Sequence, residues 1–255
     1  LEMLSPEVTT DVIKSIIDKG EKSNGYMPTF FHGDHASTFI SGSWLRGLHN
    51  FDLKRAYKLI LKNATVPGEG GRPYLDEYIK RGWIAEKDTV NVPTQDEYKG
   101  AVTKTVEYAY DDYAVALVAK ELGDQKNYNM LMKRTENYKT LFDPSTGFWR
   151  GKIEDGSWIT DFDPYYPYYQ YMYREANAWN ALFFAPHDPE GMIKLYPNNK
   201  AVEDKLDSLF TEPWRGYEVD NMTGFIGNYC HGNQPGHGIP YTYYFIGKKE
   251  KAQEI

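Results

Sequence analysis

Ala101-Val102-Thr103-Lys104-Thr105-Val106-Glu107-Tyr108-Ala109-Tyr110-Asp111-Asp112-Tyr113-Ala114-Val115-Ala116-Leu117-Val118-Ala119-Lys120-Glu121-Leu122-Gly123 carries the strongest helical periodicity in the chain. Val102, Val106, Ala109, Tyr110, Tyr113, Ala114, Leu117, Val118 and Leu122 recur mostly at spacings of three and four before Gly123 stops the run. Glu107 and Asp111 stand one turn apart on this helix, with Asp112 adjacent. Like charges at that spacing repel, so these side chains should face cationic partners, a cleft or a metal rather than each other.

The same pattern extends in both directions. Ser5-Pro6-Glu7 reads as an N-cap, a Pro in the first turn and an early acid, ahead of Val12, Ile13, Ile16 and Ile17, in a helix expected to end near Gly20. An aromatic loop, Gly25 to Gly33 with Phe30 and Phe31, leads to a second helix opened by Asp34-His35-Ala36-Ser37, where capping alone is one explanation of Asp34. Asp52 starts a third, Tyr74 to Arg81 a short fourth, and Asp124 caps one that runs through Tyr138 to Leu141. Turn sequences at Asp143–Phe148 and Glu154–Ser157 flank a short hairpin of Phe148–Ile153 with Trp158–Thr160. Further helices are expected from Glu175 towards Phe184, after His187-Asp188-Pro189-Glu190, from Asn198 to Leu209, and from about Pro235 to Ile246. Roughly eight to ten helices with few strands make an all-α chain of antiparallel hairpins, a bundle or an α/α toroid, with function on the side of the long loops.

Composition narrows the partners. With 255 residues the chain can bury a substantial core. The 22 Tyr, 12 Phe and 6 Trp beside many Asp, Asn and Gly favour a wet, hydrogen-bonding cleft over a greasy pocket. A net charge of -7 offers no basic stripe for nucleic acid or an anionic membrane, and Lys248-Lys249-Glu250-Lys251 reads as a solvated helix start or loop. Cys230 is the sole cysteine, so neither an intrachain disulfide nor a cysteine zinc site can form. No apolar run is long enough to span a membrane, and the start Leu1-Glu2-Met3-Leu4 lacks a signal-peptide layout; a processed or excised piece of something longer would begin this way.

Chemistry concentrates in Tyr173-Arg174-Glu175-Ala176-Asn177-Ala178-Trp179-Asn180, directly after the tyrosine-dense Asp163 to Met172. Aromatic faces stack on sugar C–H faces, and a carboxyl desolvated among them gains proton affinity, as a general acid needs near neutral pH. Glu175 is therefore the candidate acid; a helix-start Glu paired to Arg174 is the structural alternative. Asp34, Asp161 and Asp163 join Glu107, Asp111 and Asp112 as carboxylates near aromatic loops, suited to glycoside hydrolysis by paired carboxyl groups. His32 with His35, and His231 with His237, are too few for zinc, whereas Asn233, Gln234 and nearby carbonyls offer neutral hard oxygen ligands that fit calcium better. The glycines from Gly224 to Gly238 lack phosphate-cradling spacing, and no nucleophile elbow occurs.

A series of these stretches, in order, resembles the catalytic domain of glycoside hydrolase family 92, the calcium-dependent exo-acting α-mannosidases. The matching pieces are Gly33-Asp34-His35-Ala36, Gly47 to Asp52 with Ala56-Tyr57, Arg72 to Tyr78 with Gly82, and Thr105 to Tyr113. They continue with Asn137-Tyr138-Lys139, Leu141 to Pro144, Gly147-Phe148, Glu175 to Trp179, Pro186-His187-Asp188, and His231 to Pro235 with His237. The resemblance implies an (α/α)6 toroid, incomplete in this chain, with long aromatic loops on its active-site face.

It also implies roles. Glu175 matches the general acid, although Ala176 stands where the family usually has Gly. Asp34 matches the residue that helps hold the mannose being cleaved, and Arg72, Trp179, His231, Asn233, Gln234 and His237 are assigned to sugar binding, with Asn233 and Gln234 near Ca2+. The 107–112 stretch would line or support the same cavity. Gln234 replaces the family's Glu, Gly236 and Gly238 replace Ser and His, and Tyr113 replaces a frequent Trp, so the usual α-1,2 linkage preference need not carry over. The family's general base, an Asp downstream of the His-Gly-Asn motif, and its N-terminal β-sandwich fall outside residues 1–255, which are expected to be a single partial catalytic domain that is inactive alone.

The sequence therefore predicts part of a periplasmic or secreted enzyme that removes terminal α-linked mannose from oligosaccharides or N-glycans by an inverting, calcium-assisted mechanism. Its partners would be the glycan and the missing domains of its own polypeptide. A non-catalytic carbohydrate-binding or scaffold protein on the same toroid, or a toroid glycosidase of other sugar specificity, is the alternative.

Overall fold

Pro6, which has no amide hydrogen to leave unpaired, opens α1 (Pro6–Lys22), and Asp52 opens α3 (Leu53–Thr65) by accepting from Arg55 N. The computed structural model describes residues 2–29, 32–87, 99–165, 171–215 and 223–255. Among these, α2 (His35–Leu45), α4 (Leu75–Arg81), α5 (Ala101–Glu121), α6 (Gln125–Arg134), α7 (Pro189–Ile193), α8 (Asn199–Thr211), α9 (Thr242–Phe245) and α10 (Lys249–Glu254) complete the α-helices. Two 3-10 segments, Thr135–Leu141 and Gln234–Tyr241, and four strands of two residues each accompany them, as an all-α chain should look.

The chain divides into two units. The first holds residues 1–84 and 107–137. Its core is Ile13 and Ile17 of α1, Ile40 of α2, Leu53, Ala56, Leu59 and Ile60 of α3, Val115 and Val118 of α5, and Leu131 of α6. Apolar faces of α1 and α2 both pack on α3, the arrangement the amphipathic patterns call for. The buried amide of Asn63 closes the loop after α1: its Oδ1 accepts from Met27 N at 3.0 Å and its Nδ2 donates to Met27 O at 3.2 Å.

The second unit holds residues 85–106 and 138–255. Tyr138, Trp149, Ile159, Met172, Tyr173, Leu206, Leu209, Tyr229 and Tyr243 are among its buried side chains. β1 (Phe142–Asp143) pairs antiparallel with β2 (Phe148–Trp149), and β3 (Phe225–Ile226) with β4 (Tyr229–Cys230). The expected hairpin is thus only partly formed: Pro144 to Gly147 is the loop of the first hairpin, with Asp143 Oδ1 accepting from Ser145 N, and across the second turn Ile153 N donates to Ser157 O, Ile159 N donates to Gly151 O and Lys152 bridges Trp158.

Other expectations change in instructive ways. The first helix runs past Gly20 to Lys22. α6 ends at Arg134 and tightens into the 3-10 segment that reaches Leu141. The last predicted helix is a 3-10 segment with Pro240 inside it, followed by α9. α5 is not one-sided: almost every residue from Ala101 to Ala119 is buried or nearly so, including Thr105, Glu107, Asp111 and Asp112. No helix among the described residues is long and apolar enough to cross a membrane.

Replacing Asn63 by Ala would leave a buried amide and carbonyl of Met27 without partners. Urea unfolding should show a loss of about 2–4 kcal/mol. A loss below about 0.5 kcal/mol would mean that water takes over both bonds.

Candidate active site

In the first unit the carboxylates of the 107–112 stretch meet the Gly33-Asp34 turn. Asp34 sits at the N-cap of α2 but makes no side-chain bond to that helix's backbone. Instead its Oδ2 accepts from Ser37 Oγ at 2.7 Å and from Arg72 Nε at 3.2 Å. Arg72 Nη1 reaches Asp112 Oδ1 at 2.6 Å, and both side chains of that pair are fully buried. Arg134 binds the other side of Asp112, Nε to Oδ2 at 2.6 Å and Nη2 to Oδ1 at 2.7 Å, and Tyr78 OH donates to Oδ2 at 3.3 Å. Capping, the bland explanation of Asp34, does not describe its side chain.

The electrostatics follow from burial. Desolvation raises the Asp34 pKa, opposed by Arg72 and the Ser37 and Asn63 side chains. Glu107 lies well above the usual carboxylate range because it is buried and because Asp111 is near. Burial disfavours the Arg72 cation, yet Asp112 and Asp34 more than offset this and hold it protonated. Asp34 Oδ1, Arg72 Nη2, Glu107 Oε2 and Asp111 Oδ1 are buried without a hydrogen-bond partner among the described residues. Such atoms call for a ligand or ordered water that supplies the missing bonds.

In the second unit Glu175 is not in a helix. It is half-buried on a turn with φ at 48°, in the left-handed region, and Tyr171 nearby has φ at 67°. Two non-glycine residues held there cost energy that surrounding bonds must offset. Those bonds are visible. Val102 N donates to Met172 O at 3.0 Å and Gly100 N to Tyr171 O at 3.2 Å, so the opening of α5 grips the segment. Arg174 N donates to Thr103 Oγ1 at 2.9 Å, and Asn233 Nδ2 to the Glu175 carbonyl at 2.8 Å. Asn177 and Asn180 exchange side-chain-to-backbone bonds at 2.9 and 3.2 Å, and Asn180 Nδ2 also donates to Asn228 O. Gly100, with φ at 62°, is required to be small: a Cβ would lie 2.5 Å from the Arg174 side chain.

Glu86 anchors the same region by accepting from Ala101 N at 3.2 Å and Lys99 N at 3.4 Å, with its proton affinity raised by burial. Trp179 is 7% exposed and packs edge to face on Phe148 at 4.8 Å, with the Lys205 ammonium 4.6 Å from its ring centroid. Burial lowers the Lys205 pKa to about 8. His231 and His237 are exposed and stacked at 4.9 Å, with His237 Nε2 on His231 O at 2.8 Å and Tyr229 OH on His231 Nδ1 at 3.0 Å. Gln234 is exposed beside them.

The structure therefore joins Asp34 to Arg72 in one unit, and Glu175 to Asn233 in the other, as two local constellations. Asp161 and Asp163 are not buried, with Asp163 Oδ1 accepting from Tyr165 N at 2.9 Å. Phe30, Phe31 and residues 166–170 of the tyrosine-rich run lie outside the described residues. Sequence reading missed Asn180, Asn228, Glu86 and Lys205. The Asn-x-x-Asn spacing of 177 and 180 was the available signal, since such amides cap each other's turn. Among the described residues no group of three or more His, Cys, Asp or Glu side chains is disposed to hold a metal ion. Amide and carbonyl oxygens are a separate matter: with its Nδ2 committed to Glu175 O, Asn233 has its Oδ1 for a hard cation, and Gln234 adds another such oxygen.

Asp112→Ala should cost about 3–5 kcal/mol in denaturant unfolding, because Arg72 would remain buried with half of its compensating charge removed. A cost under about 1 kcal/mol would show that the guanidinium finds water instead.

A secreted glycosidase of Arthroderma benhamiae, itself uncharacterized, is 25% identical over 246 residues, covering 85% of this chain and 29% of that protein. Among solved structures, the GH92 α-mannosidase BT3965 of Bacteroides thetaiotaomicron is similar with a TM-score of 0.82 at 29% identity, over 97% of this chain and 32% of that one. BT3965 is also known in complex with mannoimidazole. The GH92 inverting mannosidase BT2199 of the same organism gives a TM-score of 0.76 at 27% identity, over 94% of this chain and 34% of that one. This chain thus spans about a third of the length of these relatives. The model of the glycosyl hydrolase family 92 catalytic domain matches residues 1–255, and the chain belongs to that family.

Proposed function

We propose that this chain is part of an exo-α-mannosidase that removes terminal α-linked mannose, in α-1,2 or a related linkage, from oligosaccharides or N-glycans with inversion. The observation that carries the reading is the family match over the whole chain, joined to a buried Asp34–Arg72 pair whose unmatched oxygen and N–H suit sugar hydroxyls. The catalytic domain is read as an (α/α)6 toroid to which this chain contributes, in an enzyme acting in the periplasm or outside the cell. The secreted fungal relative supports that location.

In this reading Asp34 accepts from hydroxyls of the terminal mannose and Arg72 donates to them. Their buried setting strengthens each bond and excludes competing water. Glu175 protonates the glycosidic oxygen as the bond to the anomeric carbon breaks. A water activated by a carboxylate base, for which no residue of this chain is proposed, attacks the opposite face and gives the inverted sugar. The Asn233 bond to the Glu175 carbonyl, the Thr103 bond to Arg174 N and the Asn177–Asn180 pair hold the acid's backbone in place. Trp179, His231 and His237 are read as sugar-binding, with the paired imidazoles presenting a polar edge to the leaving glycan. The Asn233 and Gln234 amide oxygens are hard donors of a kind that calcium accepts and would supply part of its shell. When bound, the cation would hold two mannose hydroxyls and favour a distorted ring.

Glu175→Gln should abolish hydrolysis of mannosides with poor leaving groups while leaving sugar binding largely intact. Kinetics on mannobiose beside binding calorimetry would measure this, and wild-type turnover by the variant would remove Glu175 from the role. Chelation of calcium should suppress mannobiose hydrolysis reversibly. Activity that survives exhaustive chelation would rule the cation out.

A further inference from the structure

The Gly33-Asp34 turn is laid directly on α5. Asp34 N donates to Asp111 Oδ2 at 2.7 Å, within a fully buried pair. A Cβ on Gly33 would stand 2.9 Å from that oxygen and 3.1 Å from Glu107 Cβ, so a larger residue would displace the Asp111 carboxylate or push the turn off α5. The backbone that carries the Asp34 side chain is therefore anchored on α5, while the carboxylate itself is held by Ser37 and Arg72. We propose that Asp111 is a positioning residue for Asp34, and that it performs this task as a neutral acid. The proposal rests on the reading of Asp34 as a sugar ligand.

The charge balance of the cluster supports the neutral form. Asp111 is faced by Asp34 and His35 from the turn and the start of α2, by Glu107, Tyr108, Tyr110 and Asp112 on its own helix, and by Arg72 from the connector before α4. Arg72 makes its hydrogen bonds to Asp34 and Asp112, and Arg134 also serves Asp112. Asp111 receives none from either guanidinium, and His35 Nδ1 stands 3.9 Å from its Oδ1, beyond hydrogen-bond distance, on a side chain that is 46% exposed. Burial pushes the Asp111 pKa up to about 8; Arg72 opposes the shift and Asp34 adds to it. A protonated Asp111 keeps an acceptor oxygen for the Asp34 amide without setting a second negative charge beside the Asp34 carboxylate. Above its pKa that repulsion appears, and the aim of Asp34 is disturbed.

The test uses the full chain with methyl α-mannoside as probe. Calorimetric binding by wild type should weaken about tenfold from about pH 7 to about pH 9, as Asp111 ionises. Asp111→Asn, which resembles the neutral acid, should bind within about threefold of wild type at pH 7 and lose that dependence. Asp111→Ala and Gly33→Ala should weaken binding about tenfold or more at both values. Wild-type affinity in Asp111→Ala, or an unchanged pH profile in Asp111→Asn, overturns the proposal.

A second measurement needs no sugar. A carboxyl whose pKa is raised on folding binds more protons folded than unfolded, so its contribution to stability is greatest below the unfolded pKa and falls as pH rises to the folded one. Between about pH 4 and about pH 8 the wild type should therefore lose unfolding free energy relative to Asp111→Asn, and the difference should level off above. Parallel curves overturn the neutral-acid role. Absence of mannoside binding by wild type would overturn the sugar reading instead, and the unfolding curves tell the two failures apart.

Discussion

A guanidinium with no access to water dominates the first unit. Arg72 arrives on the connector between α3 and α4 and is buried between Asp34, at the start of α2, and Asp112, on α5. Stripping water from an arginine is costly and is offset only when carboxylates meet it with good geometry. Asp112 does so at 2.6 Å and is itself completed by Arg134 of α6. One buried charge thus fixes four separate stretches of chain, and any ligand for Asp34 meets a carboxylate whose other commitments are already made. The uncompensated members, Glu107 and Asp111, explain why a core helix tolerates so many acids: their burial favours the uncharged form.

The second unit solves a different problem with different chemistry. Glu175 lies on a backbone that an α-helix would not produce, and the stretch around it is held by neutral donors and acceptors: Thr103, Asn177, Asn180, Asn228 and Asn233. Each contributes on the order of a kilocalorie. Together with the amides that open α5 they hold φ at 48° for a residue with a side chain. Strain retained in this way is common where a side chain has to be presented at one angle.

Much of this was legible before any coordinates. Asp52, Asp124 and Asp188 cap helices as their positions suggest, and the apolar rows of α1 and α3 meet in the core. The failures have local causes. Ala176-Asn177-Ala178-Trp179-Asn180 has a helix-compatible composition, but its two asparagines satisfy the backbone between themselves and so remove the need for a helix. α5 was read from one apolar row, with its acids expected to face cationic partners, a cleft or a metal; what went unforeseen is that nearly all of its side chains, the acids included, would be buried. The acids are buried because Arg72 and Arg134, distant in sequence, neutralise part of the charge, and spacing on one helix carries no information about such partners. Asp34 was visible as a motif, yet its release from capping depends on Ser37 and Arg72 together. The asparagine at 228 contributes through its carbonyl, which leaves no trace in residue type.

The amide framework around Glu175 has one more implication. A side chain that gives up a proton and takes it back in every cycle, as the role proposed for Glu175 demands, alters the field felt by each neighbour. Asparagine and threonine neither ionise nor change their hydrogen count over the range in which a carboxyl does. Their hydrogen-bonding capacity is therefore unchanged by the transfer, so the backbone that carries the donor can keep the same partners on both sides of it.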